Sequence, residues 1–397
     1  MTNLINRTLE HLATPLSVSS RLLLSTVIFF IAAKILGPHE FGIFTIHAAF
    51  AMFCSQIVDF GAQTKIIRDT STDPTRAKEH IKSALTLKTI LIPVGVIFLI
   101  VSATLIKFEI KTLVYLSIFF SMSAISEIFM SSLRAQKKIK TEAVYACFSS
   151  LLIITIATYV LINYKHEYFA LFLAASRTLT TAILGLYTFK ITPKSNNKIN
   201  ENIPHTGPFS YGIDALSINA PPAIQMMIIS SLLPPILVGQ YQLIQRILQG
   251  LSTLLVISTQ KFMPILGRSH NTQAYKNNLE RYKKNNIKLL ILPVALLCTL
   301  PIELIYSNIG ITKETSLYTP LLIAIIISKF ISATYGTVLI IEGKAKAKAK
   351  ISFTLGILAT GLTIIIAKIF PSALSILLLD LLVSLTILGL YKKTNEK

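Results

Sequence analysis

The chain has no tryptophan, three cysteines and little charge: Asp, Glu, Lys and Arg together make up 14% of 397 residues, against roughly 25% in an average soluble protein. That excludes a soluble globular enzyme, whose surface needs more charge. Disorder is excluded as well, because it requires low hydrophobicity; here 52% of residues are hydrophobic and the mean hydropathy is +0.64. Acidic residues are the scarcer sign. There are 38 Lys and Arg against 18 Asp and Glu, a formal net charge of +20. In a soluble protein this excess would point to nucleic acid; in a chain this apolar its home is the cytoplasmic loops of a membrane protein. Cys54, Cys147 and Cys298 lie in apolar stretches without CxxC or metal spacing, which reads as small buried side chains. Without tryptophan, anchoring at the membrane interface falls to Tyr and Phe.

Long polar stretches are also missing. The longest, 63–83, 190–208 and 263–286, read as loops and leave no room for a soluble catalytic domain. A bilayer-crossing helix needs about 20 mostly apolar residues. Twelve stretches qualify: 15–36, 40–62, 84–106, 112–133, 143–162, 168–189, 209–232, 239–262, 287–306, 318–341, 351–368 and 372–390. The first is expected to be a retained helix rather than a cleaved signal peptide, since it is too long for an h-region and carries Arg21 and Lys34. With the N-terminus in the cytoplasm, 26 of the 38 Lys and Arg fall in the tails and even-numbered loops. Only Lys107, Lys111, Lys165 and Lys313 fall on the other side. By the positive-inside rule both termini are expected in the cytoplasm. The run Lys344, Lys346, Lys348 and Lys350 then reads as a loop attracted to anionic headgroups.

The chain repeats itself. Leu87–Val94, with Lys88 and Pro93, reads against Ile287–Val294, with Lys288 and Pro293. Leu36-Gly37-Pro38 with Gly42 and Phe44 reads against Leu233-Pro234-Pro235 with Gly239 and Tyr241, and Lys138 and Lys140 read against Lys344 and Lys346. Nearly constant offsets in one order indicate a duplicated six-helix unit, with both halves inserted the same way up and a path between them. The expected division is an N-terminal lobe 1–195, a cytoplasmic linker 196–208 and a C-terminal lobe 209–397. Pro221-Pro222 inside the seventh span is either a hinge beside the path or a static kink.

Residues Ala33–Phe44, followed by Val58-Asp59-Phe60-Gly61 and Ile66-Ile67-Arg68, carry a resemblance. The Gly-Pro-x-x-Phe-Gly turn and the Asp-Phe-Gly element resemble the first two helices of the bacterial polysaccharide-biosynthesis transporters. These are the O-antigen flippases of the MOP (multidrug/oligosaccharidyl-lipid/polysaccharide) superfamily. Gly239-Gln240-Tyr241 running into Gln245-Arg246 also fits, as does the basic stretch Arg134–Lys140. The resemblance implies an all-α integral membrane protein, a MATE-like V-shaped transporter of two parallel-repeat lobes. It would flip an undecaprenyl-diphosphate-linked oligosaccharide across the bacterial inner membrane by alternating access. Implied partners are that substrate, membrane lipids, and the polymerase and glycosyltransferases of the same pathway, with no nucleic acid. No cofactor is implied; a coupling ion would be H+ or Na+.

Ionisable residues inside spans are costly and mark candidate sites. The deeper ones are Arg21, Lys88, Arg177, Arg246 and Lys329, with Asp59, Glu127, Asp214, Glu303 and Asp380. Five of each sign equally allow pairs that hold helices together. The resemblance places helices 1, 2, 7 and 8 around the central cavity. Arg21 and Arg246 are therefore the first candidates to grip the diphosphate, since Arg binds phosphate bidentately and keeps its charge when buried. Arg177 and Lys329 come second. Lys88 either guides the anionic headgroup inward or is an ordinary helix-start lysine. Glu127, Asp214 and Asp59 are the ion-coupling candidates, because a carboxylate in low dielectric can exchange protons near neutral pH. Asp59, near a span end, also reads as a packing element. A drug/cation antiporter of the same fold is the rival function, disfavoured because the first helix offers Arg21 and no acid. A membrane enzyme is disfavoured by the lack of a large outside loop and of HExxH, GxSxG or P-loop motifs. The scattered histidines make no metal site.

Overall fold

The computed structural model describes residues 2–72, 74–106, 109–136, 138–164, 168–192, 208–269, 273–299, 315–342 and 344–396. Among these every regular element is helical. In chain order they are α1 (Thr2–Asp59), α2 (Ala62–Thr72), a 3-10 turn (Pro74–Arg76), α3 (Ala77–Ile106), α4 (Ile110–Ala135), α5 (Ile139–Tyr164), α6 (Phe169–Ile191), α7 (Pro208–Leu232), α8 (Pro235–Ser269), α9 (Ala274–Thr299), α10 (Thr315–Ile341), α11 (Ala345–Ile369) and α12 (Ala373–Asn395).

Eight helices among the described residues are long and apolar enough to cross a membrane. The difference from twelve has local causes. The first two expected spans run on as α1, broken only at Gly37, whose φ of 79° interrupts the helix. α7 contributes only the shorter apolar stretch Pro221–Leu232 among the described residues, and α8 is long enough but carries Gln240, Gln242, Gln245, Arg246 and Gln249. α9 begins 13 residues before its apolar run, at Ala274, and residues 300–314 lie outside the described set. Two polar segments expected as loops are helical instead. Segment 63–83 forms α2 and the start of α3, and 263–286 completes α8 and opens α9. Polarity alone does not make a loop, because a helix can project beyond an apolar layer without losing its backbone hydrogen bonds.

Packing divides the chain into two compact units, Met1–Leu24 with Ile46–Ala223, and Ser25–Thr45 with Ile224–Lys397. In the first, α2 lies on α3 and α4. Its core joins Ala62, Ile66, Ile81, Ile128, Phe129 and Leu133, with Ala146 and Leu184 from α5 and α6. In the second, α10 packs against α12, α8 and α9. Large apolar side chains remain on the surface of both units: Val144, Leu151 and Leu186 are 70%, 67% and 76% exposed, and Ile287 and Ile291 are 63% and 64% exposed. Apolar surface of this extent suits hydrocarbon rather than water.

Duplication is visible in atomic detail. After α4, the amide of Lys138 donates to the Leu133 carbonyl at 2.8 Å; after α10, that of Lys344 donates to the Leu339 carbonyl at 2.8 Å. Each lysine then places Nζ on a carbonyl at a helix end: Lys138 on Ile191 of α6 at 2.9 Å and Lys344 on Thr394 of α12 at 3.2 Å. An ammonium there satisfies an orphan carbonyl and opposes the negative helix end. These contacts also gather the basic loop and that helix end on one side of each unit.

The turn glycines carry the closest packing. Gly42 and Gly239, which correspond in the repeat, meet inside the second unit. A Cβ on Gly42 would run into the Pro235 carbonyl, and one on Gly239 would lie 3.0 Å from Phe41 and 3.3 Å from the Gly42 Cα. Only glycine lets the two turns approach this closely.

Candidate functional site

In the first unit the buried ionic groups form linked knots. Lys88 on α3 is 1% exposed and its Nζ donates to Asp59 Oδ1 at 2.7 Å and to the Ala124 carbonyl of α4 at 3.1 Å. Glu127, one turn further along α4, acts electrostatically on Lys88 and on Arg134. Arg177 on α6 donates to Ser126 Oγ at 2.9 Å, and Tyr145 on α5 donates to the Thr180 carbonyl at 2.7 Å. Glu142, 1% exposed at the start of α5, accepts from Arg134 Nη2 at 2.5 Å, Arg134 Nε at 3.2 Å and Ser17 Oγ at 2.9 Å. It ties α1, α4 and α5 together. Glu142 stands at a span end beside the basic stretch Arg134–Lys140, so nothing in the sequence alone sets it apart from an exposed loop acid.

In the second unit Arg246 is buried on α8. Its guanidinium lies 4.1 Å from the centre of the Phe29 ring, and Nη1 donates to Gln249 Oε1 at 3.2 Å. Phe29 belongs to an aromatic cluster with Phe41 and Phe44, at centroid distances of 6.2 and 5.5 Å. A desolvated cation over a ring face gains about 2 kcal/mol. The stack therefore fixes the side chain's direction.

Asp380 on α12 is the hub of this unit. Its carboxylate accepts from Gln225 on α7 at 3.0 Å, and from Tyr241 and Gln245 on α8 at 2.8 and 2.7 Å. Lys329 on α10 acts on it electrostatically. One acid thus holds three other helices, which its place in the sequence alone did not indicate. The partners were legible in part: Tyr241 and Gln245 are four apart on α8 and so share a face. A neutral network stands beside it on α8, α9 and α10. Asn286 accepts from Ser258 at 2.5 Å and donates to Thr334 at 2.9 Å, and Tyr282 donates to Thr337 at 3.1 Å.

The structure therefore brings Lys88, Asp59 and Glu127 together, and Lys329 with Asp380, while Arg177 and Arg246 stand in separate surroundings. Arg21 on α1 and Asp214 on α7 have side chains outside the described residues, and Glu303 lies outside them altogether. Pro221 is buried and Pro222 exposed, both within a continuous α7. Among the described residues no group of three His, Cys, Asp or Glu is placed to hold a metal ion.

This arrangement, apolar helices in two duplicated units with ionic groups buried between helices, is that of a multi-pass membrane protein. The fold matches solved transporters of the MOP superfamily over nearly the whole chain. A multidrug resistance MATE family transporter in an inward-facing conformation aligns with a TM-score of 0.68 at 12% identity, covering 94% of each chain. The MATE multidrug transporter DinF-BH aligns at 0.62 and 17% identity, covering 98% of this chain and 96% of that one. A MOP superfamily transporter from Pyrococcus furiosus, described by a binding pocket of reverse polarity, aligns at 0.59 and 11% identity, covering 98% and 95%. A comparison with curated protein sequences gave no match. The sequence profile of one family, polysaccharide biosynthesis protein, matches residues 12–270. The chain belongs to that family, and its fold is that of the MOP-superfamily transporters.

Proposed function

We propose that this transporter flips an undecaprenyl-diphosphate-linked oligosaccharide, an O-antigen repeat or a related surface-polysaccharide unit, from the cytoplasmic to the periplasmic leaflet. It works in the bacterial inner membrane with both termini in the cytoplasm. The observation that carries the reading is Arg246, a permanent cation buried in a helix of a polysaccharide biosynthesis protein and aimed by the Phe29 ring. Its guanidinium presents a fork of donors to the diphosphate. Arg21 is the second ligand. Lys88 is held by Asp59 and Lys329 lies within the electrostatic reach of Asp380, which favours their service as internal counter-ions; Arg177, on Ser126, orders the first unit. Glu127 is the first candidate for ion coupling and Asp214 the second.

The lobes, 1–195 and 209–397 joined by the linker 196–208, rock in alternating access with the polyprenyl tail left in lipid. Support for a hinge at Pro221-Pro222 comes from its place: α7 passes from one compact unit to the other between Ala223 and Ile224, just after the pair.

The test is complementation of a strain that lacks its own lipid-linked oligosaccharide flippase, read as surface polysaccharide and as lipid-linked units accumulating inside. The chain restores the polymer. Arg246→Gln lowers export about tenfold or more while still reaching the membrane, the value of a lost charged hydrogen bond, and Arg246→Lys retains part. Intact export with both Lys and Gln at Arg21 and Arg246 would overturn the ligand assignment. Failure with several unrelated sugar units, together with lowered drug accumulation, would establish the MATE-like antiporter instead.

A further inference from the structure

A cavity lies in the C-terminal unit, between the middle of α9 and the C-terminal half of α10, with a volume of about 370 Å³. On α9 its wall is Lys283, Asn286, Ile287 and Leu290, spaced i, i+3, i+4 and i+7 along one helix face. Across it stand Tyr335 and Thr334 opposite the polar end, and Ile331 opposite the apolar end. The wall thus changes from cationic and polar to purely apolar, with Phe330 beside Ile331, over seven residues, or about 10 Å of helix. Lys283 Nζ sits 5.7 Å from the centre of the Tyr335 ring, and no ion pair involves it among the described residues. The surroundings are basic. Lys348 reaches within 3.2 Å of a Cβ position on Gly336, the neighbour of Tyr335, and Asn395 donates to the Tyr335 carbonyl at 3.2 Å, bringing in the chain end that follows Lys392 and Lys393. At its apolar end Ile287, and Ile291 one turn on, are 63% and 64% exposed, on a surface suited to hydrocarbon.

We propose that this cavity is a binding site for an anionic diacyl phospholipid of the surrounding bilayer, with its phosphate at Lys283 and Tyr335 and an acyl chain along Ile287, Leu290 and Ile331. Three features select this occupant. The charge is complementary, and the positive-inside count puts this end in the cytoplasmic leaflet. Basic pockets between membrane helices on that side take anionic headgroups. The polar-to-apolar gradient matches the passage from headgroup to chain. The volume suits a glycerophosphate head and its first methylenes, not an oligosaccharide of several rings. This site is independent of the transport reading, since it is read by lipid occupancy alone.

The missing tryptophan makes the test clean. Ile291→Trp gives a single reporter beside the cavity in the full-length protein. It is reconstituted into phosphatidylcholine vesicles doped with brominated phosphatidylglycerol or brominated phosphatidylcholine, and quenching gives the relative binding of the two lipids. A lysine near the surface contributes about fivefold for an anionic lipid. The expected preference for phosphatidylglycerol is therefore about fivefold, falling toward one in Lys283→Gln and retained in Lys283→Arg. A control reporter, Leu186→Trp on α6, is expected to show no comparable preference. Equal quenching by both lipids, an unchanged preference in Lys283→Gln, or the same preference at Leu186→Trp would each overturn the site.

Discussion

Asp59→Asn and Lys88→Met should destabilise the protein unequally, and the inequality follows from burial. The two charges are 2.7 Å apart, with Lys88 1% and Asp59 26% exposed. At an effective dielectric of about 20, Coulomb's law gives a gross attraction of about 6 kcal/mol. Water over Asp59 and the charge of Glu127 both reduce what is lost when the pair is broken, to about 2–3 kcal/mol for the worse case. That case is Asp59→Asn, which strands a fully buried ammonium. Lys88→Met strands a carboxylate that still reaches water, and should cost about 1 kcal/mol. The double substitution removes both charges and should cost little more than Lys88→Met alone, a coupling of about 2 kcal/mol. Equilibrium unfolding in mixed detergent micelles, followed by far-ultraviolet circular dichroism, measures all three. Additive costs, or a larger cost for Lys88→Met, would refute the pairing and return Lys88 to the substrate candidates.

Three further outcomes are expected. Gly42→Ala should cost about 2 kcal/mol in the same unfolding assay and Gly239→Ala about 1, because the first Cβ would overlap a backbone carbonyl and the second meets a side chain that can yield. Asp380→Leu should destabilise by about 3–5 kcal/mol, since it leaves Lys329 and three donors without their acid, and Lys329→Leu should rescue part of that loss. Pro221→Ala with Pro222→Ala should slow export in the complementation assay without loss of protein from the membrane; an unchanged rate removes the hinge.

Periodicity and charge were enough for the class of protein. Apolar runs long enough to cross a bilayer can satisfy their backbone only as helices. The repeat was legible for a similar reason: Pro93 and Pro293 punctuate α3 and α9 at matching places, and Lys138 and Lys344 mark the turns that the structure builds alike. The site was less legible. Lys88 and Lys288 occupy equivalent places in the repeat, yet one is buried against Asp59 and the other is exposed. Glu142 gave no local signal, and Asp380 stood out only as an acid inside a span, since the partners that make them organise each unit lie 125 and 155 residues away at the farthest.

The sequence by itself determined the solvent, the apolar helices and the duplication, because these depend on composition and on spacing within one helix. Only the tertiary structure decided which buried charges neutralise one another, where Arg246 is aimed, and that the equivalent turns at Gly42 and Gly239 touch. A charge in low dielectric is governed by whatever stands within a few ångströms, and in a helical bundle those neighbours come from other helices.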